Sequence, residues 1–182
     1  MTKKLKINLL YFSCGRDEEL LAISIASAKK QYDFNRIIVA EDMRDPMKNK
    51  LEGVEYVPKL ASTEKLYGLD NIEQMHKIFR EQSYDCDFLQ KCDSDMVFIN
   101  SNAYHFLEKN AGLDAYGSFP MANERIIPDK HFSGGTYFLS MRVCQNLEQI
   151  HWPDDVKYWD VMNYPEDMVT SHVVSKISGK VV

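Results

Sequence analysis

The sequence predicts an α/β fold: a single domain built on an open, mixed but mainly parallel sheet with helices on its faces. Short apolar runs of strand character recur at residues 7–12, 36–40, 54–57 and 88–92. Segments with apolar positions at helical spacing separate them, at 18–31 and after Asn71. Strands alternating with helices give βαβ units and parallel pairing. Acidic and small residues stand just beyond the strand ends, where open α/β sheets bind ligands.

Each element has its own signal. The first strand, 7–12, stops at Ser13-Cys14-Gly15-Arg16, and Leu21, Ile25 and Ala28 then mark the buried stripe of a helix. The second strand, 36–40, stops at the acidic pair Glu41-Asp42, and the third, 54–57, is ended by Pro58. Asn71 is a cap for a helix whose buried face is Ile72, Met75, Ile78 and Phe79. The pattern then loosens into a helix over 103–110, a strand over 116–119, an irregular stretch through Pro128 and a strand over 136–140. A helix after Met141, a Trp/Tyr-rich loop and a last helix over 166–175 complete it.

Composition narrows the function. A chain of 182 residues with 45% hydrophobic and 27% charged residues supports one full core. The formal net charge of -5 provides no basic field, so duplex nucleic acid is excluded as a partner, and a metal ion rather than a lysine patch is expected to neutralise a phosphorylated ligand. Cys14, Cys86, Cys92 and Cys144 form no CxxC pair or zinc-ligand spacing and read as reduced thiols. The basic start, Met1 to Lys6, is not followed by a signal peptide's apolar core, and no stretch approaches the ~20 apolar residues of a membrane span. A soluble, cytoplasmic protein is expected.

The most informative feature is Asp93-Ser94-Asp95, which follows one apolar run and precedes another. In extended backbone, residues i and i+2 project to the same side, so both carboxylates are expected to aim at one point as the strand leaves the sheet. Like charges that close call for a cation or proton between them, and a divalent metal on a phosphorylated substrate is the usual one. Two later features join it. Ser133-Gly134-Gly135 precedes a strand, and glycines there let a ligand approach backbone; a tight turn is the alternative. Glu166-Asp167 opens a helix, where a pair that merely complements the helix dipole is the alternative.

The ordered set Asp93-Ser94-Asp95, Ser133-Gly134-Gly135 with Tyr137-Phe138-Leu139-Ser140, and Glu166-Asp167 resembles the GT-A (Rossmann-like) glycosyltransferases. Its layout is most similar to the small inverting enzymes of the fringe and β-1,3-galactosyltransferase type. The resemblance covers residues 5–175 in layout and these short blocks in detail. It implies a UDP- or GDP-sugar donor, a nucleotide-binding half at about 1–100 and an acceptor half at about 101–182. It further implies Mn²⁺ or Mg²⁺ held by Asp93 and Asp95, with Asp95 the more direct ligand, and Ser94, Gly134 and Gly135 at the donor. Asp167 suits the base that deprotonates the acceptor hydroxyl, with Glu166 the nearby alternative, and a base placed there implies inversion.

Other residues carry weaker signals. In such folds the donor base meets the loop after the first strand and the acids after the second, here Ser13, Arg16, Glu41 and Asp42. Arg16 as a surface charge at a helix start is the alternative. His172, five residues after Asp167, is the candidate third metal ligand, although relatives place that histidine farther along; an interface role is its other reading, and His131 reads as a loop residue. Trp152 and Trp159, among carboxylates, suit a platform for a glycan or other hydroxyl acceptor, or a loop pinned by two rings. Lys176 and Lys180 are candidate phosphate contacts or plain solubilising charges. The chain is shorter than typical GT-A domains, so the element that closes over the diphosphate is expected from another subunit of a homo-oligomer or not at all. Two other functions fit parts of the pattern: a non-catalytic nucleotide- or sugar-binding module, and a haloacid-dehalogenase-like phosphatase, whose Asp-x-Asp-x-Val ends the first strand of its chain.

Overall fold

The computed structural model describes residues 4–59, 69–117, 135–147 and 166–177. Strand β1 (Ile7–Ser13) leads through a short 3-10 turn (Gly15–Asp17) into helix α1 (Glu18–Lys29). Strands β2 (Arg36–Asp42) and β3 (Glu55–Lys59) follow, then helix α2 (Leu69–Gln82) and strand β4 (Phe88–Asp93). Helix α3 (Asn102–Lys109), strands β5 (Ala115–Gly117) and β6 (Thr136–Ser140), and helices α4 (Met141–Asn146) and α5 (Glu166–Ile177) complete the described elements.

The six strands form one sheet in the order β3-β2-β1-β4-β6-β5. β1 pairs in parallel with both β2 and β4, and β2 in parallel with β3. β6 runs antiparallel to β4, and β5 antiparallel to β6. The sheet is therefore mixed and mainly parallel, with β6 the reversed strand. The chain lays β2 and β3 to one side of β1 and then returns to lay β4 on the other. The gap between β1 and β4 is thus a switch point, the place where open α/β sheets form a ligand crevice beyond their carboxyl ends.

Side-chain alternation divides the core. On one face Leu10, Ile38, Ala40, Leu89, Tyr137 and Leu139 meet α2, α4 and α5 through Met75, Ile78, Phe79, Val143, Leu147, Val173 and Val174. Phe79 is the hinge of this layer, edge-on to both Phe12 and Tyr137 at centroid distances of 5.8 and 6.3 Å; such pairs add roughly 0.5–1.5 kcal/mol beyond burial. On the other face Leu9, Tyr11, Ile37 and Val39 take the Leu21, Ile25 and Ala28 stripe of α1, and Ile7, Phe88 and Phe138 take Tyr104 and Leu107 of α3. Among the described residues no helix is long and apolar enough to cross a membrane.

Several element ends shift by a residue or two from the sequence expectation, and three differences have a clear physical reason. β2 runs on through Glu41 and Asp42, because the register with β3 continues to Asp42↔Lys59. Pro58 lies within β3 rather than ending it, since β3 is an edge strand with one bonded side, where proline is tolerated. α2 is already helical at Leu69, so Asn71 sits inside the helix and is not its cap.

Candidate functional site

The carboxyl ends of β1, β2, β3 and β4 form one polar rim. At the end of β1, Ser13 is 7% exposed, and its hydroxyl is buried without a hydrogen-bond partner among the described residues. A buried polar group left unpaired is costly. The next loop is tied to the one after β2: the Gly15 amide donates to the Asp45 carbonyl at 2.6 Å. A Cβ on Gly15 would lie 2.7 Å from Asp45 Oδ1 and 2.8 Å from the Pro46 carbonyl oxygen. Glycine is required there by that close approach.

At the end of β4 the pleat rule has a different outcome from the one the sequence suggested. The strand ends at Asp93, and Ser94-Asp95 form a turn closed by the Met96 amide on the Asp93 carbonyl. Asp95 is therefore not the same-face partner of Asp93. Lys91 is: two residues earlier, on the α2 face, its Nζ lies 2.6 Å from Asp93 Oδ1. Lys91 is buried, and its ammonium sits 5.7 Å from the Tyr137 ring centroid. Asp93 is partly exposed, Ser94 is buried and Asp95 is exposed.

At the end of β2 the acids are already engaged. Glu41, buried, accepts from the Met47 amide and from Lys50 Nζ. Asp42 accepts from the backbone, Nε and Nη2 of Arg44. Those Arg44 bonds hold its carboxyl below the usual range against the opposing effect of burial. Arg16 faces solvent, 3.9 Å from Asp45. Lys59, at the end of β3, lies over the Phe12 ring at 5.4 Å from its centroid. Gly135 receives the Asp93 amide on its carbonyl, and a Cβ there would press on the flexible Met96 side chain, its sulfur at 2.9 Å. Thr136, the first residue of β6, accepts from Gln90 Nε2 and donates to the Lys91 carbonyl, which locks β6 beside β4.

α5 lies on the Lys91 face. His76, fully buried in α2, shares a 3.1 Å hydrogen bond with Thr170 of α5, three residues beyond Asp167. Burial, with the charge of Arg80 second, pushes the His76 imidazole down to about 3, so it is neutral at physiological pH.

No protein-family profile matches the sequence, and no curated protein matches it. Solved structures do. The galactosyltransferase LgtC in complex with donor and acceptor sugar analogues aligns over 96% of this chain and 72% of its own, at 14% identity and a TM-score of 0.63. The mannosyltransferase PcManGT from Pyrobaculum calidifontis, in complex with GDP-Man and Mn²⁺, aligns over 100% of this chain and 55% of its own, at 9% identity and a TM-score of 0.61. The bifunctional IspDF from Campylobacter jejuni aligns over 97% and 48%, at 12% identity and a TM-score of 0.58. The chain thus spans between about half and three quarters of the length of these structures.

The fold is GT-A.

Within this GT-A fold, Ser13, Arg16, Asp42, Asp93, Ser94, Asp95 and Gly135 all fall on the carboxyl rim. They differ in availability: the Ser13 hydroxyl is unpaired, whereas the Asp42 carboxylate is taken up by Arg44. Glu166, Asp167 and His172 belong to the backbone of α5, but their side chains lie outside the described part of the structure. Ser133, Gly134, His131, Trp152, Trp159 and Lys180 lie outside the described residues, as does the side chain of Lys176. Lys91 and Lys59 are rim cations that sequence reasoning missed. The signal for Lys91 was the i, i+2 rule itself, applied backward from Asp93.

The rim suits a hard divalent cation. Among the described residues no three of His, Cys, Asp and Glu converge. Asp93 and Asp95, at the two ends of one turn, are the acids that could hold Mg²⁺ or Mn²⁺, ions bound through one or two carboxylates and completed by phosphate oxygens and water. The phosphatase alternative required its acidic motif at the end of the first strand; here the motif ends β4, the fourth in the chain.

Proposed function

We propose that this chain transfers a glycosyl group from a nucleoside-diphosphate sugar to a hydroxyl acceptor with inversion, using Mn²⁺ or Mg²⁺ held by Asp93 and Asp95. One observation carries the reading: an Asp-Ser-Asp turn at the carboxyl end of β4, beside the β1–β4 switch point of a GT-A sheet. The GDP-Man and Mn²⁺ bound by PcManGT support the donor class and the cation.

The chain's own groups divide the work. The unpaired Ser13 hydroxyl meets the nucleotide at the crevice floor, and Gly15 keeps the loop above it close to the Asp45 loop. Lys91 fixes the orientation of Asp93. A bound divalent cation neutralises charge on the departing diphosphate. Asp167, with Glu166 beside it, takes the acceptor's hydroxyl proton; the acceptor oxygen bonds to the anomeric carbon as the bond to the diphosphate breaks. Trp152 and Trp159 supply apolar faces for the acceptor.

Thermal melts with UDP or GDP, each with and without Mn²⁺, test this reading. Stabilisation by one diphosphate only when Mn²⁺ is present, and its disappearance in Asp95→Ala, is expected. An Asp95→Ala protein stabilised as strongly as the parent would remove the metal site from the account. A second reading, nucleotidyl transfer, is favoured by the match to a 4-diphosphocytidyl-2C-methyl-D-erythritol synthase from Anaerococcus prevotii over 99% of this chain and 89% of its own, at 9% identity and a TM-score of 0.56. Pyrophosphate released from a nucleoside triphosphate, with no diphosphate released from a nucleotide sugar, would select it.

A further inference from the structure

The outward face of α1 is apolar where a solvated helix is normally polar. Leu20 and Ile23 are 48% and 57% exposed, and Ala26, one turn beyond Ile23, is exposed as well. The chain after the Asp93-Ser94-Asp95 turn extends this patch. The Phe98 amide donates to Ser27 Oγ of α1 at 3.0 Å, and the Phe98 ring packs into the core beside the helix. Val97 and Ile99, on either side of it, are 58% and 83% exposed. Ser27 is one turn beyond Ile23, so the two groups meet. Four of the seven exposed large apolar side chains among the described residues therefore gather in one place. Single exposed apolar residues are ordinary, whereas a contiguous group marks a contact surface.

The charges on α1 say what that surface fits. Glu19, Ile23, Ala26 and Lys30 fall on one outward stripe at helical spacing. It reads acid, large apolar, small, base, and its complement is the same stripe run in the opposite direction. Among the described residues neither Glu19 nor Lys30 has an ion-pair partner, while their neighbours Glu18 and Lys29 are engaged with Asn49 and the Glu52 carbonyl. The helix dipole accounts for acids at one end and lysines at the other, but not for Leu20 and Ile23 left in water between them. We infer that this chain forms a two-fold dimer in which the α1 helices of two copies pack antiparallel, with residues 97–99 flanking the contact. Each Glu19 then faces the partner's Lys30, and each Ile23 fills the space left by the partner's Ala26. α1 runs back from the carboxyl rim, so the two rims open at opposite ends and neither site is covered. The dimer does not depend on which transfer the rim catalyses. α1 has 12 residues, about 18 Å, and one helix pair of that length falls short of the about 800 Å² per partner of a standard interface. Dissociation in the range of about 10–100 µM is expected.

Sedimentation velocity of the full chain from about 5 to about 500 µM, at low salt, tests this. The parent is expected to shift from monomer to dimer across that range. Ile23→Glu sets two carboxylates at the centre of the contact and is expected to weaken association at least about a hundredfold. Glu19→Lys and Lys30→Glu each place like charges at both ends and are expected to weaken it at least about tenfold. An equimolar mixture of these two variants restores both opposite-charge pairs, so it is expected to dimerise although neither does so alone. All three positions face solvent, and thermal melts check that each variant folds. A parent that remains monomeric at every concentration overturns the inference without any variant. If that monomer instead floats with vesicles of phosphatidylcholine and phosphatidylglycerol, the patch belongs to a lipid surface and the dimer is equally overturned. A dimer that survives Ile23→Glu uses another face and overturns it too. A mixture of Glu19→Lys and Lys30→Glu that stays monomeric overturns the antiparallel pairing.

Discussion

The two ends of the sheet treat polar groups in opposite ways. At the amino end Asn8 donates to the Gln82 carbonyl and to Asp85, Asn35 donates to Asn8 and Asp85, and Arg36 grips Glu55 and lies 3.5 Å from Asp85. Lys6 and Asp87 bond across the start of β4. These groups engage one another, with Arg36 Nη1 buried and held only by its 3.5 Å ion pair with Asp85. At the carboxyl end the Ser13 hydroxyl is buried without a partner, Asp95 stands exposed, and a lysine is buried against a half-exposed aspartate. The amino end is built to hold the sheet together. The carboxyl end leaves Ser13 and Asp95 open, as the proposed site requires. A cleft lined by Lys29, Tyr32, Asp33, Arg36 and Glu55 lies at the amino end, where Arg36 and Glu55 are part of the interlocked set and Asp33 pairs with Lys4.

If that division is real, mutations at the two ends separate activity from stability. The largest effect is expected from Asp95→Ala at the open end: transfer from the donor sugar falls by about a thousandfold, while the melting temperature without ligand moves little because the side chain is exposed. Asp85→Ala at the closed end should do the reverse. It strands Asn8, Asn35 and Arg36 and should lower unfolding free energy by about 2–3 kcal/mol in a urea titration. Diphosphate affinity should not change, and a weakened affinity would mean the ends are not independent.

The His76–Thr170 bond ties α5, the helix of the proposed base, to α2. Its effect is smaller and depends on pH. The imidazole stays neutral in the native state down to about 3, whereas in the unfolded chain it protonates near 6.5. The unfolded state thus gains a proton first as pH falls. The contribution is complete above pH 6.5 and is lost as pH drops towards 3, with a slope of about 1.4 kcal/mol per pH unit. Denaturation at pH 7 and pH 5 should differ by about 2 kcal/mol from this group, and His76→Gln should flatten that difference. An equal slope in the variant would assign it elsewhere.

The sequence made much of the scaffold legible. The Ile72, Met75, Ile78 and Phe79 stripe of α2 is buried as its spacing required, and β6 matches its apolar run residue for residue. Strand direction was not legible, because apolar periodicity is the same whichever way a strand runs; the reversal of β6 appears only in its register with β4. The outer face of α1 misled in another way. Leu20 and Ile23 are apolar yet 48% and 57% exposed, which blurs the stripe carried by Leu21 and Ile25. At the site, Asp93-Ser94-Asp95 was visible as a motif, but the turn that removes Asp95 from the pleat depends on where pairing with β6 stops. The engagement of Asp42 by Arg44 appears only in the structure.

The most direct test is a crystal grown with Mn²⁺ and UDP or GDP, with the manganese located by its anomalous scattering. The account predicts a single strong peak bridging the diphosphate to Asp93 and Asp95 beyond the β1–β4 gap, with the Ser13 hydroxyl bonded to the nucleotide. A nucleotide seated elsewhere, or a diphosphate in that gap with both carboxylates turned from the metal, would contradict it.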